Sequence, residues 1–397
     1  MTCGNIIVLI EIVLNICAPA QRCGRILYGG DFRNIVRCKQ YGDFMRALFK
    51  RVARAGSDMV VQNVPRCGKM GKRLWEVVGD MRYANIAGIE RQASVICMGT
   101  ASMGSVQSRD DAFAILDRYA ELGGNFLDTA RIYGQDEDGV SHSERCVGEW
   151  LRTRGMRGKI VLATKGAHHN IKDKSRRLSR EDILSDCQSS LRDLGVDFID
   201  LYWLHRDDET RPVEEIVDTL NLLKRRGWVG ALGASNWSAR RIAAANAYAA
   251  ASGQTGFTAD QPQWSLARQA VCHDETLVQM NAELMAMHAR TGMAVVPFSS
   301  QAKGFYSKLA EGGIETLNDT VRTRFAVEDN LRKLPIVERI AREHDVSVGA
   351  VALGYLTSHS FPAFPIVGIS RIEYMKDVEQ AGDLALLPEE VEALSRA

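Results

Sequence analysis

Phe198-Ile199-Asp200-Leu201-Tyr202-Trp203-Leu204-His205 is a short, mostly apolar run that stops at one polar side chain. A strand buried on both faces of a parallel sheet has this near-continuous apolar character, whereas a half-solvated strand alternates. Seven further short runs rich in Val, Ile and Leu occupy residues 95–98, 125–128, 160–165, 231–236, 258–263, 294–299 and 361–368. Segments with helical spacing lie between them. Residues 109–122 put Ala112, Ile115, Leu116 and Tyr119 on one face and stop at Gly123-Gly124. Ser179-Arg180-Glu181-Asp182 has the form of a capping box, opening a helix that carries Ile183, Leu191 and Leu194 and ends at Gly195. Pro212 is placed for a first helical turn ahead of Ile216, Leu220 and Leu223, with Gly227 as the stop. Eight strands alternating with helices over 317 residues predict an α/β fold, a (β/α)8 TIM barrel.

The competing doubly wound sheet needs Gly-x-Gly after an early strand to bring backbone close to a pyrophosphate. The chain has 34 glycines and no two are separated by a single residue. A phosphate-cradling Gly-x-x-x-x-Gly-Lys-Ser/Thr loop is also absent. The gap between the last two runs is the longest and leaves room for an insertion around residues 303–330 on the catalytic side.

Composition splits the chain in two. The 397 residues are 46% hydrophobic and 25% charged with a formal charge of +1, which excludes disordered, collagenous and coiled-coil classes. Residues 1–80 hold 13 basic and 6 acidic residues, a net of +7, leaving −6 for residues 81–397. Five of nine cysteines (Cys3, Cys17, Cys23, Cys38 and Cys67) also fall in residues 1–80. The expected domains are therefore a basic, cysteine-rich extension of unknown structure at 1–80 and the barrel at 81–397. Met81-Arg82-Tyr83-Ala84-Asn85-Ile86 opens the barrel, and a hairpin over residues 88–92 precedes its first strand. An odd cysteine count without Cys-x-x-Cys spacing fits a reducing, cytoplasmic location. The apolar run over residues 6–17 has no basic side chain ahead of it in residues 1–5 and is interrupted by Glu11, so it reads as a short buried or unassigned segment rather than a secretory leader, and it is too short to span a bilayer. The Lys50-Arg51-x-x-Arg54 cluster reads as a solvated face. Neither nucleic acid nor membrane is an expected partner, and the sequence is silent on oligomeric state.

In a barrel the reactive groups sit at the carboxyl ends of strands. The second strand ends in Phe126-Leu127-Asp128-Thr129-Ala130, followed by Tyr133-Gly134; the third ends in Ala163-Thr164-Lys165; the fourth ends in Leu204-His205. Singly, Asp128 reads as a helix cap, Lys165 as a snorkelling surface lysine, His205 as a rim histidine and Tyr133 as packing. Together they make a working set. A lysine beside a phenol favours the phenolate and draws a pKa near 10 downward, while a carboxylate keeps that lysine charged. A phenol so tuned can protonate a carbonyl oxygen.

These residues resemble the aldo-keto reductase family. The resemblance covers residues 81–397 and rests on Phe126 through Gly134, Ala163-Thr164-Lys165, Leu204-His205, Gly233-Ala234-Ser235-Asn236 and Phe364-Pro365-Ile366-Val367-Gly368. It implies a catalytic tetrad in which Tyr133 is the general acid, Lys165 its pKa modulator, Asp128 the partner of Lys165, and His205 the orienter of the substrate carbonyl. It implies reduction of an aldehyde or ketone to an alcohol by hydride transfer from a nicotinamide cofactor lying extended across the barrel mouth. Ser235, Asn236 and Gln261 would hold the carboxamide, Phe298 would stack on the ring, and Gly99, Thr100 and Ser299 would flank it. Gly368, Ser370 and Arg371 would take the phosphate end, with Arg371 implying NADP(H) over NAD(H). The chain departs from the family pattern at Ser370, where a basic residue is frequent, and at Asp377-Val378.

Other classes fit less well. A Schiff-base aldolase would use Lys165 as a free amine, but the offset from Asp128 to Tyr133 favours the reductase. A cofactor-sensing regulatory module with little turnover needs no intact tetrad. His168-His169 with His205 makes a poor metal set, because adjacent loop histidines rarely converge on one ion, and no metal is expected. The expected partner is a small carbonyl compound. Trp203, Trp237 and the Phe305-Tyr306 pair read equally as lining of its pocket and as packing.

Overall fold

The computed structural model describes residues 81–271 and 274–396. The expectations for residues 1–80, and Cys272, lie outside the described residues. A two-stranded antiparallel hairpin comes first, β1 (Tyr83–Ala84) and β2 (Ala93–Ser94). Eight strands follow: β3 (Cys97–Gly99), β4 (Phe126–Asp128), β5 (Val161–Gly166), β6 (Ile199–Leu204), β7 (Val229–Ser235), β8 (Ala259–Gln261), β9 (Ala294–Val295) and β10 (Ile366–Gly368). All neighbours are parallel in the order β10-β3-β4-β5-β6-β7-β8-β9. A parallel bridge from Val295 to Ala363 joins β9 to the segment entering β10, so the ring closes. The bonds there are Phe364 N to Val295 O (2.8 Å) and Ile366 N to Pro297 O (2.9 Å). Each of the eight apolar runs overlaps one of these strands, three of which (β3, β5 and β7) extend past the run by one or two residues, and the chain adopts the (β/α)8 fold.

The helices are α1 (Arg109–Glu121), α2 (His142–Thr153), α3 (Arg180–Leu194), α4 (Val213–Arg225), α5 (Ala239–Ala251), α6 (Ala282–Thr291), α7 (Phe305–Gly312), α8 (Asp319–Phe325), α9 (Glu328–His344), α10 (Val348–Thr357), α11 (Met375–Asp383) and α12 (Pro388–Arg396). The start of α3 is the expected capping box. Ser179 Oγ accepts from Asp182 N, Asp182 accepts from Ser179 N, and Gly195 closes the helix in the left-handed region at φ 64°. Such a cap stabilises a helix by about 1 kcal/mol. Pro212 differs from expectation by one place: its ψ of 137° is extended, so it precedes α4 instead of forming its first turn. The insertion after β9 is ordered as α7 and α8 with short 3-10 turns.

The barrel interior is filled by Cys97, Phe126, Val161, Ala163, Leu201, Trp203, Ala231, Ala259, Ala294, Val296 and Phe364, with Ile86 from the hairpin. Small side chains gather on β7, β8 and β9 (Ala231, Ala259 and Ala294), and the large ones, Phe126, Trp203 and Phe364, fill the space from other parts of the ring. A Cβ on Gly233 would lie 2.1 Å from the Trp203 ring, so glycine there makes room for the indole. The hairpin packs against Ala231. The larger core lies between the strands and the outer helices. Trp203 and Trp237 are both at zero exposure, and Phe305 packs on Tyr306 with ring centroids 5.0 Å apart. These four are core, not pocket lining. Among the described residues no helix is long and apolar enough to cross a membrane, and Cys97, Cys146 and Cys187 are buried free thiols.

Candidate active site

Asp128 is the last residue of β4, Lys165 lies near the end of β5, and His205 directly follows β6. Tyr133 is half-buried in the loop after β4. All four lie towards the carboxyl ends of their strands, and the first three contacts converge on one ammonium. Lys165 Nζ donates to Asp128 Oδ2, to Thr129 O at 2.9 Å, and to Tyr133 Oη at 3.3 Å. An ammonium has three N–H groups, and all three are directed. The other Asp128 oxygen accepts from Gln261 Nε2 at 3.1 Å.

Electrostatics follow from burial and this pairing. Burial alone would lower the Lys165 pKa; the Asp128 carboxylate and the Tyr133 phenol outweigh it and hold it above the usual lysine value. Lys165 is therefore a cation and not the free amine an aldolase needs. Burial raises the Asp128 pKa, with Lys165 and Gln261 opposing. The His205 ring stands edge-on to Tyr133, with centroids 6.0 Å apart. Burial first, then Lys165 and Arg206, push its pKa well below the ordinary histidine value, so it is neutral. Its Nδ1 is buried without a partner.

The Tyr133 loop is held by polar groups that the sequence reading did not single out. Ser141 Oγ donates to Ala130 O (3.1 Å) and Tyr133 O (3.0 Å), and Ser143 N donates to Tyr133 O (3.3 Å). Arg131 Nη1 reaches Asp193 of α3 at 2.9 Å, and Asp193 also accepts from Ser141 N. Glu144 turns inward from α2 to accept from Thr164 Oγ1 at 2.5 Å, the neighbour of Lys165. Ser141-x-x-Glu144 is a capping-box spacing and was a readable signal for this turn. His168, two residues beyond β5, was noted only as a poor metal ligand; it stands against His205 with centroids 4.7 Å apart.

The expected cofactor residues fall into two groups. Ser235 Oγ donates to Gln261 O at 2.9 Å, and Asn236 Nδ2 donates to Ser235 Oγ (3.1 Å) and to His205 O (3.2 Å). These neutral groups on β7 and β8 are thus linked to Asp128 and His205. Gly99 ends β3, while the Thr100 hydroxyl is committed to Ser143 Oγ at 2.9 Å. Phe298 is half-buried, and Ser299 is exposed at φ 56°. Gly368, Ser370 and Arg371 are exposed beyond the tetrad, at the end of β10. Nothing lies within 4 Å of a Cβ built on Gly368. A 3-10 turn (Ile372–Tyr374) separates Arg371 from α11.

Comparison with known proteins agrees with this geometry. The model of the aldo/keto reductase family matches residues 95–397. A probable aryl-alcohol dehydrogenase of Saccharomyces cerevisiae is 31% identical over 309 residues, 74% of this chain and 88% of the relative. The aldo-keto reductase ausK of Emericella nidulans is 32% identical over 76% of this chain and 78% of its own length. An NADP(+) aryl-alcohol dehydrogenase of Phanerodontia chrysosporium is 29% identical over 79% and 85%. With an eight-stranded parallel barrel, strand-end groups gathered on one lysine, and a family match over most of its length, the chain belongs to the aldo/keto reductase family of oxidoreductases.

Proposed function

We propose that the protein reduces aldehydes or ketones to alcohols, with Tyr133 as general acid and NADP(H) preferred to NAD(H). The observation that carries this reading is the Lys165 ammonium directed at both Asp128 and the Tyr133 hydroxyl, 3.3 Å away. The phenol oxygen accepts from Lys165, which leaves its own proton available to a carbonyl oxygen. The ammonium stabilises the phenolate left behind, and Asp128 keeps the ammonium charged. Neutral His205, with Nδ1 buried, is best satisfied with its proton on Nε2, where it donates to the same carbonyl oxygen.

The residues present suit a nicotinamide cofactor. Ser235, Asn236 and Gln261 match an uncharged carboxamide in donor and acceptor type, Phe298 offers a ring face, and Gly99, Thr100 and Ser299 offer flanking backbone. Open space over Gly368, with Ser370 and the Arg371 guanidinium beside it, suits a phosphorylated end. When bound, the reduced cofactor supplies hydride to the carbonyl carbon. The relatives named aryl-alcohol dehydrogenase, one of them for NADP(+), support aromatic aldehydes as the first substrates to try.

The test is NADPH oxidation by the purified chain with a panel of aryl aldehydes, followed by its absorbance. Turnover is expected in the wild type, and Tyr133→Phe should lower kcat by about 10²–10⁴-fold. Retained activity in that variant would remove Tyr133 as the acid.

A further inference from the structure

The proton inventory around the tetrad is uneven. Tyr133 and His205 both present donors to the place where a carbonyl oxygen is reduced. His168 presents the opposite. Its Nδ1 lies 2.7 Å from the His169 carbonyl oxygen, and a carbonyl can only accept, so Nδ1 carries the ring proton. Burial first, with the charges of Arg206 and His169 adding to it against the hydrogen bond to the His169 backbone and the charge of Asp274, brings the His168 pKa down to about 4, so the ring is neutral at physiological pH. Its Nε2 is then a lone pair, and among the described residues it takes no hydrogen-bond partner. The ring is half-buried and packs edge-to-face on His205, which in turn touches Tyr133. A lone acceptor thus stands one ring away from the carbonyl-reducing pair.

From this placement, and resting on the reductase reading above, we infer that His168 is a specificity-determining residue whose Nε2 accepts a hydrogen bond from a hydroxyl group of the substrate. The substrate class is a hydroxylated aldehyde or ketone, in which the carbonyl oxygen faces Tyr133 and His205 and the hydroxyl faces His168. Two donors and one acceptor complement a carbonyl and a hydroxyl on one rigid frame. A substrate that lacks the hydroxyl leaves the acceptor unpaired or solvated. One hydrogen bond of this kind has a net worth of about 1 kcal/mol, roughly a five- to tenfold preference.

The experiment uses the full chain with NADPH and matched pairs of compounds, the three hydroxybenzaldehyde isomers and their O-methyl ethers. The quantity read is the ratio of kcat/KM for the hydroxyl compound to that for its ether, so any general loss of activity in a variant cancels. The wild type is expected to prefer at least one hydroxyl isomer by roughly five- to tenfold. In His168→Phe, which keeps a ring but has no acceptor, the ratio should fall to about one. His168→Leu gives the same reading if the Phe variant fails to fold, and His168→Asn, whose side-chain oxygen accepts, should restore part of the preference. A wild-type ratio near one for all three isomers, or a preference that survives in both His168→Phe and His168→Leu, overturns the assignment while leaving the reductase intact. Turnover of neither member of any pair by the wild type overturns both.

Discussion

Replacing Glu144 by Gln should make the protein more stable at alkaline pH and leave it nearly unchanged in acid. Glu144 is at zero exposure, and burial, against hydrogen bonds from Thr164 and Ser190 and the charge of Arg131, raises its pKa from 4.5 to about 7; Asp193 adds to the rise. Between these two values the folded chain keeps a proton that the unfolded chain has lost. Stability therefore falls as pH rises from about 4.5 to about 7 and stays low above that. A displacement of that size corresponds to about 3 kcal/mol. A glutamine has the same shape and no charge, and its oxygen can accept from Thr164. At pH 8.5 the variant should gain most of that 3 kcal/mol, a rise in thermal midpoint of roughly 4–5 °C for a chain of this size. At pH 4, below both values, the gain should be close to zero. Thermal unfolding followed by circular dichroism at the two pH values measures the difference. A variant less stable than wild type at pH 8.5, or a gain equal at both, would refute a buried carboxyl that is neutral below pH 7.

Three further outcomes are expected. Asp128→Asn leaves the Lys165 ammonium buried without its counter-charge, so unfolding free energy should drop by about 3–5 kcal/mol; the double variant with Lys165→Met should recover stability without recovering turnover. Arg371→Ala should raise the KM for NADPH by about tenfold and that for NADH by less than about twofold, since only the former offers a phosphate for a charge-assisted fork. A chain starting at Met81 should keep the thermal midpoint and the reductase activity of the full chain, because the strands, the hairpin and the tetrad all lie within residues 81–397; loss of the fold would show that residues 1–80 are part of it.

The fold was legible because parallel strands are buried on both faces, so each appears as an apolar run and its one polar terminus stands out. Asp128, Lys165 and His205 were visible for that reason. The scaffold behind Tyr133 was hidden by the opposite logic. Asp193 and Glu144 sit on helices among charged neighbours such as Arg192 and Arg145, where a polar residue reads as a solvated face, yet both side chains are buried. Their partners are distant in sequence: Asp193 lies 62 residues from Arg131, and Glu144 lies 20 from Thr164. The aromatic residues left two readings open for a different reason. Trp203 and Trp237 have pocket-like chemistry, but which face a strand residue occupies depends on register, and register here turns Trp203 into the core; Trp237, in the turn after β7, is buried as well.

Closure of the ring between β9 and β10 constrains how the protein can be made. Ile366 pairs with Cys97, about 270 residues earlier, so the first barrel strand has no partner on one side until almost the whole chain has been synthesised. Every nascent chain shorter than this carries two bare parallel edges, β3 and the most recently emerged strand, and both belong to buried, mostly apolar segments. Unpaired apolar edges recruit other chains. Production of this barrel should therefore depend on shielding during translation, and slowing synthesis or depleting chaperones should cut soluble yield before any point mutation in the tetrad does.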